Sequence, residues 1–141
     1  MKVSEVVPFF AVKDMKKSLA FYVDGLGFEL KTNWIDDDVV RWCRLQIGDA
    51  GLMLQQFGTE GPNSRQFNHI KGSGVSLYFF CDDAVEIYRD VTSRGINAAE
   101  PVVGNRLWVT TIINPDGFEV NFESPTDEPE ETRLSDLAPR A

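Results

Sequence analysis

The sequence predicts an α+β protein of two tandem βαβββ modules, each a cupped mixed sheet with its helix on the convex side. Three observations lead there. The first is an internal echo: Val12-Lys13-Asp14 precedes a helical stretch closed by Leu26-Gly27-Phe28, and Cys81-Asp82-Asp83 precedes one closed by Gly95-Ile96, with Asp14 to Asp82 and Gly27 to Gly95 both 68 residues apart. The second is a further echo, Trp42 and Gly51 returning as Trp108 and Gly117, both 66 residues on. The third is that apolar spacing switches between helical and alternating periods in the same order in both halves. A repeat of this length implies two copies of one supersecondary unit.

Local chemistry justifies each element in turn. Residues 3–12 read as a strand, with Pro8 at a sheet edge or bulge. Asp14 sits where a helix N-cap belongs; Leu19, Phe21, Tyr22 and Leu26 give the apolar stripe, and Gly25 and Gly27 end it. Residues 28–34 and 39–47 are strands around the Asp36-Asp37-Asp38 turn, and Gly48-Asp49-Ala50-Gly51 turns the chain into a strand over 51–57. The second module repeats the plan: a strand over 74–81, a helix over 84–94 capped by Asp82 or Asp83, and strands at 98–103, 106–113 and 118–123, the last two joined by Asn114-Pro115-Asp116-Gly117. The modules span 5–57 and 74–123 of a single domain over 1–123, joined by a Gly-, Asn-, Ser- and Pro-bearing linker at 58–73. The acidic tail at 124–141 is expected to be mobile or to drape over a partner subunit.

Composition narrows the function classes. The 141 residues, 43% hydrophobic and 26% charged, suit an ordinary globular domain. Of the net charge of −8, the tail holds −3 and the body −5, a sign that repels nucleic acid and anionic membrane surfaces and favours a cationic ligand. No apolar run is long enough to span a bilayer, and Lys2, Glu5 and Pro8 interrupt any signal-like stretch, which points to a cytoplasmic protein. Cys43 and Cys81 lie in apolar strands without CxxC spacing and read as free buried thiols.

Alternation along the strands sorts the side chains into faces. Leu52 and Leu54 oppose Met53, Gln55 and Phe57; Phe118, Val120 and Phe122 oppose Glu119, Asn121 and Glu123. A four-residue turn at 48–51 pairs Ile47 with Leu52 and sets Trp42, Arg44 and Gln46 beside Phe57, Gln55 and Met53. The aliphatic faces pack on the helices, leaving a mixed aromatic and polar face of the kind that lines a ligand site. The 66-residue echo puts Trp108 on the Asn121 face as Trp42 is on the Gln55 face.

Ser18-Leu19-Ala20-Phe21-Tyr22 leading to Leu26-Gly27-Phe28, Gly74-Val75-Ser76-Leu77-Tyr78-Phe79 leading to Asp82-Asp83, and Asn114-Pro115-Asp116-Gly117-Phe118 together resemble the vicinal oxygen chelate superfamily of glyoxalases, bleomycin resistance proteins and extradiol dioxygenases, over roughly residues 5–123. The resemblance implies the glyoxalase/bleomycin resistance fold and a homodimer with cavities between modules. It also implies where a metal would be held in metal-dependent members: by His and Glu on the first and last strand of each module. Counting along this chain, those positions carry Val7, Gln55, Ser76 and Asn121, and a one-residue slip brings no better donor. Neutral amides and hydroxyls are too weak as the inner shell of Zn, Ni or Fe, so no metal and no cofactor is expected.

The candidate ligand-binding residues are Trp42, Arg44, Gln55, Phe57, Ser76, Tyr78, Trp108, Glu119 and Asn121, with no catalytic residue identified. Paired indoles suit a planar or cationic ligand; Glu119 and Glu123 add negative charge, and Arg44 is available to Glu119 or to a ligand carboxylate. Met53, Phe57, Tyr78 and Phe80 serve equally as dimer packing. The single histidine, His69, reads as an exposed linker residue, with a lid or proton-transfer role as the alternative, and it gives Ser76 no partner for nucleophilic chemistry. The favoured reading is a metal-free protein that sequesters a small organic molecule, the bleomycin-resistance-like branch of the superfamily. The alternatives are a lyase, isomerase or dioxygenase with a non-standard metal set, and an accessory module with a vestigial cavity.

Overall fold

The computed structural model describes residues 1–58 and 74–137, so the expected linker, His69 included, lies outside the described residues apart from Gly58. The chain divides into two compact units, Met1–His69 and Ile70–Ala141, each built around its own four-stranded mixed sheet.

In the first unit the strands are β1 (Phe9–Ala11), β2 (Glu29–Asp36), β3 (Val39–Ile47) and β4 (Ala50–Gln55), in the order β1-β4-β3-β2. β1 is shorter than the 3–12 expected. Its pairing with β4 starts from the Pro8 carbonyl, which accepts from Met53 N at 2.8 Å, and Pro8 itself has no N–H to give. Helix α1 (Met15–Leu19) starts under the predicted Asp14 cap, whose side chain accepts from Lys17 N, and widens into a π-helical turn over Ala20–Gly25. Gly27, with φ +86°, turns the chain out of the helix into β2. The β2–β3 turn places Asp37 and Asp38 both at positive φ, the backbone of a type I′ hairpin that matches strand twist.

The second unit has β5 (Ser76–Phe80), α2 (Ala84–Ser93), β6 (Val102–Gly104), β7 (Leu107–Ile113) and β8 (Glu119–Pro125), with sheet order β5-β8-β7-β6. Asp83, not Asp82, caps α2, accepting from Val85 N and Glu86 N. Two sheet hydroxyls hold the helix start: Thr110 Oγ1 donates to the Ala84 carbonyl at 2.7 Å and Ser124 Oγ accepts from Ala84 N at 2.8 Å. The expectation of a mobile tail is corrected. Residues 126–137 run along the free edge of β6: Thr132 O accepts from Val103 N, Val103 O accepts from Glu131 N, and Ser135 donates to Glu100 through both its N–H and its hydroxyl. An otherwise open strand edge is thereby paired. No described helix is long and apolar enough to cross a membrane.

Candidate functional site

Each sheet has one face covered by its own helix and one face left open. In the first unit Cys43, Leu45, Leu52 and Leu54 are fully buried, and Cys43 Sγ lies 3.9 Å from Met15 Sδ of α1. Burial pushes the Cys43 thiol up to about 11, which makes it an inert core residue at neutral pH. The opposite face carries Trp42, Arg44 and Gln46 of β3 beside Gln55, Met53 and Gly51 of β4. The face is the expected one but the register is shifted by two residues: Leu45, not Ile47, pairs with Leu52, and Trp42 faces Gln55 instead of Phe57. The cause is the turn. Gly48, with φ +54°, and Asp49 make a two-residue hairpin, so Ile47 pairs with Ala50. Phe57 follows the strand and stands with its ring centroid 6.2 Å from that of Phe9 on β1, so it stays near the open face.

The open face of the first sheet also holds a residue the sequence reading missed. Trp34 of β2 is the cross-strand partner of Trp42 and is 45% exposed. The Asp37-Asp38 hairpin alone would set Trp34 opposite Arg41; a register shift between Trp34 and Ile35 skips Arg41 and brings the two indoles opposite each other, and no sequence signal marks that bulge.

In the second unit Ser76, Tyr78 and Phe80 of β5 pair with Glu119, Asn121 and Glu123 of β8 on the open face, together with Thr111 and Ile113 of β7. Tyr78 and Phe80 are well exposed, whereas Asn121 is buried and fully engaged: its Oδ1 accepts from Thr111 Oγ1 at 2.6 Å, and its Nδ2 donates to the Leu77 carbonyl at 3.2 Å and more weakly to Glu119 at 3.4 Å. Trp108 does not share this face. It pairs with Val103 and Ser124 on the helix side, is only 9% exposed, and lines a cleft of about 430 Å³ with Asp82, Asp83, Arg89 and Leu134. The reason is again a turn. The second hairpin pairs Ile113 with Glu119 and so has a five-residue loop where the first has two, and three extra residues reverse the face on which an equally spaced tryptophan falls. The expected pair of indoles therefore resolves into Trp34 and Trp42, on one sheet.

Within its own unit Arg44 has an acidic partner that the sequence did not suggest: its Nη2 meets Glu5 Oε2 at 3.2 Å. Val7 lies before β1, outside the strand, while Gln55, Ser76 and Asn121 are on the open faces. An amide, a hydroxyl and an already occupied amide do not fit a divalent transition metal, and among the described residues no group of three or more His, Cys, Asp or Glu side chains is placed to hold one.

Two four-stranded sheets in sequence-repeated βαβββ order, each with one face covered by its own helix, define a class of α+β proteins built from two copies of one module. Residues 3–122 match the family model of the Glyoxalase/Bleomycin resistance protein/Dioxygenase superfamily, and the chain belongs to that superfamily. Among solved structures, TioX from Micromonospora sp. ML1 superposes with a TM-score of 0.70 at 18% identity, over 87% of this chain and 99% of that one. TnmS3, an antibiotic binding protein from Streptomyces sp. CB03234, gives 0.64 at 24% identity, over 89% and 99%. A bleomycin-binding protein complexed with bleomycin gives 0.61 at 23%, over 86% and 98%. At these identities the likeness concerns the fold. No curated protein matches the sequence.

Proposed function

We propose that this chain is a metal-free small-molecule-binding protein that sequesters a planar, apolar or cationic organic ligand on the open faces of its sheets, in a cavity completed by a second copy of the chain. The observation that carries the reading is the cross-strand pair Trp34 and Trp42, bordered by Gln55 and Met53 on a face that no helix of its unit covers. Indole faces attract flat rings and cations, each cation–π contact contributing about 0.5–2 kcal/mol. Tyr78 and Phe80 with Glu119 and Glu123 offer the second unit's version of the same chemistry. Phe9, Trp34, Tyr78, Phe80 and Ile113 are all substantially exposed in the single chain, and burial against a second copy is the ordinary fate of that much apolar surface. The solved structures of this fold include an antibiotic binding protein and a bleomycin-binding protein holding bleomycin, which supports the class of cargo.

Titration of tryptophan fluorescence with a panel of planar aromatic amines, neutral aromatics and aromatic acids tests the reading. Saturable quenching led by the amines and neutral compounds is expected, and Trp42→Ala is expected to weaken binding by more than about 0.5 kcal/mol, the lower end for an aromatic contact. An unchanged affinity removes the indole from the site. Treatment with EDTA is expected to leave the melting temperature where it was; a fall of several degrees, reversed by one particular metal, overturns the metal-free part.

A further inference from the structure

We infer that Glu5 is a built-in occupant of an anion position on the open face of the first sheet and that, by neutralising Arg44, it sets the charge preference of the ligand site. This rests on the reading of that face as a ligand site. Arg44 is two residues from Trp42 on β3, so the two side chains leave the same face from backbone positions about 6.6 Å apart along the strand. Its cross-strand neighbours, Thr32 and Met53, carry no charge. Its counter-ion arrives from outside the sheet: Glu5, in the segment ahead of β1, accepts from Arg44 Nη2 through Oε2 at 3.2 Å and Oε1 at 3.4 Å. Gly51 makes room for this arrangement, because a Cβ there would stand 3.3 Å from Arg44 Nη2 and 3.6 Å from Nε. The guanidinium thus lies across β4 toward Glu5.

Both side chains keep substantial exposure, 31% for Arg44 and 56% for Glu5. An ion pair that exposed is weak and exchangeable, since water screens it and two long side chains must be held still. A carboxylate on a ring seated against Trp42 has to displace Glu5 to reach Arg44. An ammonium in the same place meets the Glu5 carboxylate as an attractive neighbour. Glu5 therefore tips the site away from anions although an arginine stands in it.

Calorimetric titration of the full chain with 2-naphthoate, 2-naphthamide and 2-naphthylmethylammonium, repeated on Glu5→Gln, Arg44→Gln and the double variant, tests the assignment. Glu5→Gln is expected to tighten 2-naphthoate about two- to fivefold and to weaken the ammonium by a similar factor, as suits a surface pair, with the amide unmoved. Arg44→Gln is expected to weaken 2-naphthoate and to abolish the gain in the double variant. If Glu5→Gln tightens all three probes alike, Glu5 only covers the face; if it moves none, it has no part in selectivity, and either result overturns the assignment while the site stands. Failure of all three probes to bind any variant removes the site itself and this inference with it.

Discussion

Replacing Trp108 with alanine is expected to cost the second unit its stability and leave the ligand contact intact, whereas replacing Trp42 does the reverse. Trp108 is 9% exposed, between Val103 of β6 and Ser124 of β8 on the side of α2. Truncating a buried indole removes its apolar contacts and leaves a cavity, together about 3–5 kcal/mol. At about 2–4 °C per kcal/mol for a chain of this size, the melting temperature falls by roughly 6–20 °C. Trp42 is half-buried on an open face with solvent on one side, so its truncation leaves no sealed cavity and costs less than about 1.5 kcal/mol. Urea denaturation of the two variants measures the difference, and Trp108→Phe, which keeps most of the ring, extends the comparison if the alanine variant does not fold. The placement of the two indoles is refuted if Trp108→Ala changes stability by less than about 1 kcal/mol while ligand affinity falls.

Ser124→Ala removes the hydroxyl that accepts from Ala84 N at the start of α2, and the buried donor left without a partner costs about 1–3 kcal/mol in denaturant unfolding; a change below about 0.5 kcal/mol contradicts the hydrogen bond. Because burial raises the folded thiol of Cys43 to about 11, above its unfolded value, the stability owed to its neutral form is complete below the ordinary thiol range and lost as pH rises through about 11. Ellman's reagent at pH 8 is accordingly expected to label the half-buried Cys81 in the native protein and Cys43 only after denaturation; labelling of native Cys43 at the rate of a free thiol contradicts its burial.

The element order was legible because both modules write it in short-range chemistry. Asp14 and Asp83 cap helices, Gly27 and Gly95 end them at φ +86°, and the alternation of Cys43 and Leu45 against Arg44 and Gln46 assigns the faces of β3. The same alternation fails on β7, where Leu107, Val109 and Ile113 are as apolar as Trp108 and Ile112, so only the hairpin loop decides the face. That loop is set by Asn114, whose side chain accepts from both Asp116 N and Phe118 N and so extends the turn to five residues, a geometry that the period of 66 residues between Trp42 and Trp108 conceals. Trp34 was hidden by a β-bulge-bearing edge strand that is exposed along its whole length and therefore shows no burial pattern. The ordered course of residues 126–137 rests on backbone hydrogen bonds to β6, which acidic, Pro-containing composition does not encode.

The three indole N–H resonances of this chain offer a direct view of the open face, since each tryptophan gives one signal, assigned by single replacement with phenylalanine. On titration with a saturating planar aromatic amine, the Trp34 and Trp42 signals are expected to shift together along one binding curve while the Trp108 signal stays in place. A shift of Trp108 with Trp34 and Trp42 unmoved contradicts the assignment of the ligand site to the open face of the first sheet.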